Sequence, residues 1–228
     1  MTSSKLLSRH PSSPDFDGSF NYRQVIGKLL FLEKSTRPDL SYAVHQCARF
    51  SHDPKREHGE DVKQIDRYLK GTLDQGIIMK PNDSHSLDLH VDADFAGNWD
   101  KEVASTDPAT EQSRHGYILQ YCGITILWAS QLQSIIALST TEAEYKGMSK
   151  ALQDTLPVVW LLEEMKQLGY TIHTTTAQVH CRVFQDNSGA LEIANNPKWS
   201  HQPKIPLTQV PCWKAHHCAS NCHIGPSG

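Results

Sequence analysis

Long hydrophobic runs, paired cysteines and a repeat period are all missing from this 228-residue sequence. The longest apolar stretch, Leu156 to Leu162, is seven residues, against the roughly 18 that a membrane-crossing helix requires. No membrane partner is expected. Lys5 and Arg9 supply early cations, but neither the apolar core nor the small-residue cleavage site of a secretory signal follows. Six cysteines are too sparse for a disulfide scaffold, and Cys47, Cys122 and Cys181 stand singly in apolar patterns where a reduced, buried thiol is the ordinary outcome. Together these absences point to an intracellular protein, of cytoplasm or nucleus. Thirteen glycines and twelve prolines without a fixed spacing exclude collagen-like, coiled-coil and wholly disordered classes.

Acidic residues are unevenly placed. The formal net charge is -3, yet residues 20–80 carry +3, residues 81–203 carry -8, and no acidic residue follows Glu192. An acidic middle repels a polyanion by itself. A nucleic-acid function therefore requires metal ions among those carboxylates and phosphate contacts from the basic block.

The hydrophobic period changes once along the chain. Residues 1–18, rich in Ser and Pro, are expected to form a flexible leader. Residues 19–80 show helical spacing: Val25, Ile26, Leu29 and Leu30, then Tyr42, Ala43, Cys47 and Phe50, then Val62, Ile65, Tyr68 and Leu69 closed by Gly71. After the polar break at Lys80–Ser84 the period becomes two. Leu87, Leu89 and Val91 alternate with Asp88, His90 and Asp92, and two strands meet at a Cys122-Gly123 turn. Helices are expected over 141–152 and 157–168, a strand over 178–184 and a short helix over 188–194. The fold class is α/β: a mixed sheet flanked by helices over 85–203, preceded by a small helical segment.

Three acidic residues stand where chemistry can use them: Asp92 ends the first strand, Glu144 lies in the first helix turns and Asp186 ends a later strand. Carboxylates at neighbouring strand ends converge on one edge of an open sheet. Clustered there, they favour a hard divalent cation such as Mg2+, and such ions align water for phosphodiester hydrolysis. Each residue also has a plainer role. Asp186 could cap the helix after it, Glu144 and Glu142 stand at capping-box spacing from Thr141 and Ser139, and Asp92 or Asp94 could open a turn.

The runs Val91-Asp92-Ala93-Asp94-Phe95-Ala96-Gly97, Ala137-Leu138-Ser139-Thr140-Thr141-Glu142-Ala143-Glu144-Tyr145 and Gln185-Asp186-Asn187-Ser188-Gly189-Ala190, with Gly116-Tyr117-Ile118 and Trp128-Ala129-Ser130 between them, closely resemble the ribonuclease H domain of copia-type retrotransposon Pol polyproteins. Thr36-Arg37-Pro38-Asp39-Leu40 and Tyr68-Leu69-Lys70-Gly71-Thr72 are similar to the segment connecting the reverse transcriptase of those elements to that domain. The resemblance implies an RNase H-like fold and an endonuclease that hydrolyses the RNA strand of an RNA:DNA hybrid with two Mg2+ (or Mn2+) ions. Carried over by position, Asp92, Glu144 and Asp186 are the catalytic, metal-holding residues, and Asp94 and Glu142 take supporting or structural roles. The remainder of a reverse transcriptase polyprotein is the implied protein partner.

The sequence departs from that family after Asn196-Pro197 and His201. Where a further helix should carry a fourth carboxylate, it reads Gln202-Pro203-Lys204-Ile205-Pro206, and prolines at this density break a helix. No polymerase palm aspartates are present. These departures imply a truncated element whose end is read out of frame and whose nuclease activity is impaired. The alternative is a catalytically inactive nucleic-acid-binding remnant. Residues 204–228 are expected to be a divergent, disordered tail. Its Cys212, His216, His217, Cys218, Cys222 and His223 have zinc-binding chemistry but not the spacing of a zinc finger, which favours a chance composition. Arg37, Arg49, Lys55, Arg56, Lys63, Arg67 and Lys70 are expected on a solvated face, with phosphate tracking as the minority reading, and His115 on the surface. Trp128 is expected in the core, and Trp99 in a polar loop.

Overall fold

The computed structural model describes residues 13–102, 104–105, 107–174 and 178–195, together with the backbone of 222–226. Amphipathic spacing builds three helices first: α1 (Tyr22–Ser35), α2 (Ser41–Ala48) and α3 (Arg56–Lys70). Asn21 opens α1 by accepting the Gln24 N–H, satisfying one of the N–H groups that every helix start leaves without a partner. Tyr22, Ile26, Leu29, Leu40, Val44, Cys47, Val62 and Ile65 bury one another in a shared core. The Arg37-Pro38-Asp39 corner is locked to the end of α3. Arg37 makes two hydrogen bonds to Asp39, and its Nη1 and Nη2 donate to the Thr72 carbonyl and hydroxyl, while the Tyr68 hydroxyl donates to Asp39.

The leader is ordered over its described part. Phe16 packs edge-on against Phe20 and Tyr22, its N–H donates to the Pro54 carbonyl, and Asp15 pairs with Lys55. The expectation of flexibility there fails because a single aromatic anchor finds an apolar notch at Gly59, where a Cβ would collide with its ring. Residues 1–12 lie outside the described set.

The sheet follows: β1 (Leu87–Asp94), β2 (Arg114–Tyr121), β3 (Ile124–Leu132), β4 (Cys181–Gln185) and β5 (Cys222–Pro226), in the spatial order β3-β2-β1-β4-β5. β1 is antiparallel to β2 and parallel to β4, so the sheet is mixed, flanked by helices, as the sequence implies for an RNase H-like protein. Cys122 and Gly123, both at positive φ, make the β2–β3 turn, the backbone that a two-residue hairpin with native twist requires. Leu87, Leu89, Val91, Tyr117, Leu119, Cys181 and Val183 turn inward and pack on Tyr145, Met148, Ala151, Leu152 and Val159 of a long helix, α4 (Thr140–Gln167). A Cβ at Gly147 would stand 3.0 Å from the His115 Cβ and 3.3 Å from the Ala93 Cβ. Glycine is what lets α4 lie this close to β1 and β2.

Three expectations are corrected. The helices expected over 141–152 and 157–168 are one, running through Pro157. Thr155, Leu156 and Val159 are buried on the same face as Ala151 and Leu152, and that continuous apolar face outweighs the missing proline hydrogen bond. Second, Cys222–Pro226 pairs in parallel with β4, so this part of the expected disordered tail is strand. Main-chain pairing needs no particular side chains. The other Cys and His residues of the tail fall outside the described set. Third, Arg37 and Arg49 are not on a solvated face: Arg37 is 7% exposed, and Arg49 pairs with Asp107 at 2.9 Å across the junction between helices and sheet.

That junction has two more contacts. The Trp128 indole N–H donates to the Glu33 carbonyl, and the Arg114 guanidinium lies over the Tyr42 ring. Trp128 is buried, as expected, Cys47 and Cys122 are buried free thiols and Cys181 is buried; burial pushes the Cys47 thiol up to about 12. Among the described residues no helix is long and apolar enough to cross a membrane. Because removal of one partner strands a desolvated charge, Arg49→Ala should lower unfolding stability by about 3 kcal/mol. The Arg49→Met/Asp107→Leu double variant should recover most of it, as measured by urea denaturation.

Candidate metal centre

β1 and β4 run parallel and side by side, so their C-terminal ends share one edge of the sheet. Asp92 stands near the end of β1, on the exposed side of its alternation. Asp186 follows the last residue of β4, and α4 begins close by with Glu144 in its first turns. One carboxylate oxygen from each of Asp92, Glu144 and Asp186 lies within 4.8 Å of the other two. Asp92 and Asp186 are exposed and Glu144 is buried.

The structure separates these three from their neighbours. Asp186 does not cap α5 (Ser188–Asn195), since Asn187 does so by accepting the Ala190 N–H. Glu144 is not the capping partner at the start of α4 either. Ser139 accepts the Glu142 N–H, while Glu142 accepts the Leu138 N–H and pairs with Lys146 at 2.7 Å. Glu142 is thus committed to the helix start: burial raises its pKa, but the Lys146 and Leu138 hydrogen bonds prevail and leave it below the usual value. The Asp94 carboxylate folds over Gly97, where a Cβ would clash with it. It takes no part in the cluster.

The electrostatics of Glu144 record the crowding. Burial pushes its pKa up to about 7, and the charges of Asp92 and Asp186 push the same way; hydrogen bonds from the Gln185 amide and the Ala93 backbone oppose them. An acid held partly protonated at neutral pH among two other carboxylates is a site that gains by taking up positive charge. Three oxygen donors suit a hard divalent cation such as Mg2+ or Mn2+, and the two exposed members leave a path from solvent.

Two residues escaped the sequence analysis. Gln185 is fully buried and donates through Nε2 to Glu144 Oε2 at 2.9 Å. The available signal was a polar residue on the buried phase of β4, where an amide requires partners. His115, expected on the surface, is 4% exposed beneath α4, and neither ring nitrogen has a hydrogen-bond partner. Its register opposite Ala93 places it on the covered face of β2, a placement the neighbouring Arg114 obscured. Burial, with Lys150 next, pulls its pKa down to about 4, Asp154 opposing.

No family model matches the chain. The retrovirus-related Pol polyprotein from transposon RE1 of Arabidopsis thaliana is 34% identical over 183 residues, which is 80% of this chain and 11% of that protein. A secreted RxLR effector protein, number 161 of Plasmopara viticola, is 34% identical over 140 residues, 61% of this chain and 90% of that protein. Among solved structures, the N-terminal RNase H domain of Rv2228c from Mycobacterium tuberculosis, fused to maltose-binding protein, aligns over 62% of this chain and 83% of that one, at 17% identity and a TM-score of 0.35. The protein is an α/β protein with a mixed sheet flanked by helices. Its relatives include Pol polyproteins of copia-type transposons, 32–34% identical over 80–90% of this chain, and it spans 11–13% of the length of those curated relatives.

Two pH dependences follow. Folded His115 resists protonation that the unfolded chain accepts below its ordinary value of 6.5, so stability falls as pH drops from 6.5 toward 4. His115→Leu should remove about 2 kcal/mol of the loss between pH 7 and pH 5. Glu144 has the opposite sign. Its folded pKa lies above the ordinary 4.5, so stability falls as pH rises from 4.5 through 7. In chelator at pH 8, Glu144→Gln should be more stable than the unchanged protein, by up to about 3 kcal/mol, and at pH 4 no different. Urea titrations across pH measure both.

Proposed function

We propose that residues 85–203 act as a metal-dependent RNase H-like endonuclease that hydrolyses the RNA strand of RNA:DNA hybrids, with residues 19–80 as the connection from a reverse transcriptase. The observation that carries this reading is the meeting of Asp92, Glu144 and Asp186, far apart in sequence, within 4.8 Å. Asp92, Glu144 and Asp186 would hold Mg2+ or Mn2+, which when bound supplies Lewis acidity to a phosphodiester. Asp92 and Asp186 present their oxygens on the solvent side, where a phosphate arrives. Glu144 anchors the site from α4 and gives up its proton as positive charge enters. Electrostatic positioning, with no covalent enzyme intermediate, carries the rate. The rest of a Pol polyprotein is the proposed partner and an intracellular compartment the proposed setting.

The lack of any acidic residue after Glu192 favours reduced turnover, and it supports a second reading: a nucleic-acid-binding remnant without catalysis. A labelled hybrid incubated with the chain in Mg2+ and then in Mn2+ separates the two. Slow cleavage is expected, falling by about 100-fold or more in Asp92→Asn, the scale of losing one preorganised charged group. Salt-sensitive hybrid binding without cleavage in either ion establishes the second reading, whereas cleavage unaffected by Asp92→Asn rejects the site.

A further inference from the structure

Gln185 is the last residue of β4, and its side chain lies wholly within the protein. Its two polar ends face different elements. The carboxamide oxygen accepts the N–H of Asp186 at 2.7 Å and of Asn187 at 3.3 Å, while Nε2 donates to Glu144 Oε2 at 2.9 Å. The two backbone donors fix the orientation of the amide, because only an oxygen can accept them, and the NH2 end is therefore committed to Glu144. Glu144 is also tied to β1, by a hydrogen bond from the Ala93 backbone. Each tie thus ends beside one of the other two acids: Ala93 follows Asp92, and Gln185 precedes Asp186.

We propose that Gln185 is a positioning residue for the cation site: through one amide it holds the helix-borne Glu144 and the turn bearing Asp186 at coordinating separation before any cation arrives. The proposal rests on the cation-site reading above. No other common side chain of this length supplies both ends. Methionine offers neither a donor nor a strong acceptor, and an ionised glutamate keeps the acceptor but turns a further negative charge on Glu144. Rotation of Glu144 away from its mutually repelling neighbours is the expected result of losing the donor. Removing a hydrogen bond that orients a metal-holding side chain typically weakens affinity about 10- to 100-fold.

The test uses the full chain and two independent readouts. In the metal-free protein the Gln185 side-chain amide protons, followed by NMR, should exchange slowly with water, and Mg2+ should leave that protection unchanged. Free exchange before Mg2+ is added overturns the proposal, without needing any variant to fold. Mn2+ binding is then followed by electron paramagnetic resonance. Gln185→Met, with its melting curve recorded alongside, should bind Mn2+ about 10- to 100-fold more weakly, and the substitution should add nothing further in a Glu144→Ala background. If the unchanged protein binds Mn2+ and Gln185→Met binds it equally, the positioning role alone falls. If the unchanged protein takes up no Mn2+, or Asp92→Asn binds it as well, the cation site falls and the positioning role with it.

Discussion

Mutual repulsion among three carboxylates is the constraint that the rest of the site answers to. Two unit charges at 4.8 Å repel by about 3 kcal/mol at an effective dielectric of ~20, and here each member has two such neighbours. A loosely held loop would relax by swinging one acid away. In this protein two of the acids are fixed by the adjacent, parallel ends of β1 and β4, and the third by a helix that Gly147 allows against β1 and β2. Burial first, and then the charges of Asp92 and Asp186, raise the pKa of Glu144, the one buried member, to about 7.

Most of the fold was legible, because it rests on patterns local in sequence, whereas the choice of Asp92, Glu144 and Asp186 as a set came from the family resemblance. Alternation over Leu87–Val91 locates β1, a turn at Cys122-Gly123 marks the hairpin, and Asp92 and Asp186 can be placed at strand ends before any tertiary contact is known. What stayed hidden depends on long-range contacts. A proline inside a helix costs roughly 3 kcal/mol, and so reads as a break; burial of Leu156 and Val159 at about 1.5–3 kcal/mol each carries α4 straight through it. His115 sits beside Arg114 in an apparently polar dipeptide, yet the pairing of β2 with β1 puts its ring under α4. Gln185 is silent for the same reason, since its three hydrogen-bond partners come from the following turn and from a helix 41 residues earlier.

Charge arithmetic shows the same gap between letters and surface. The +3 block over residues 20–80 suggests a face for phosphates, but Arg37 and Arg49 spend their charge on Asp39 and Asp107, and Lys55, Lys63 and Lys70 also lie within ion-pair distance of carboxylates. The long-range pair has a structural use. Arg49–Asp107, with Trp128 on the Glu33 carbonyl, joins the helical segment to the sheet, while Arg37–Asp39 ties the Arg-Pro-Asp corner to the end of α3. The two motifs that resemble the reverse transcriptase connection are therefore a lock within the helices. Arg37 and Asp39 are explained by these contacts before any nucleic acid is invoked.

Sheet edge and active edge tolerate divergence very differently. β5 joins β4 through main-chain amides, which almost any sequence provides, and Cys222–Pro226 does so although it follows a stretch without a single acidic residue. A cation site has no such latitude, since a carboxylate must occupy a given position or the ligand is lost. Substitution of a carboxylate at such a position therefore removes chemistry well before it removes the fold. The chain has the mixed strand order and brings three acids together at one edge. The two functional readings are divided by how much cation binding those three residues, aligned by the hydrogen bonds around Glu144, sustain.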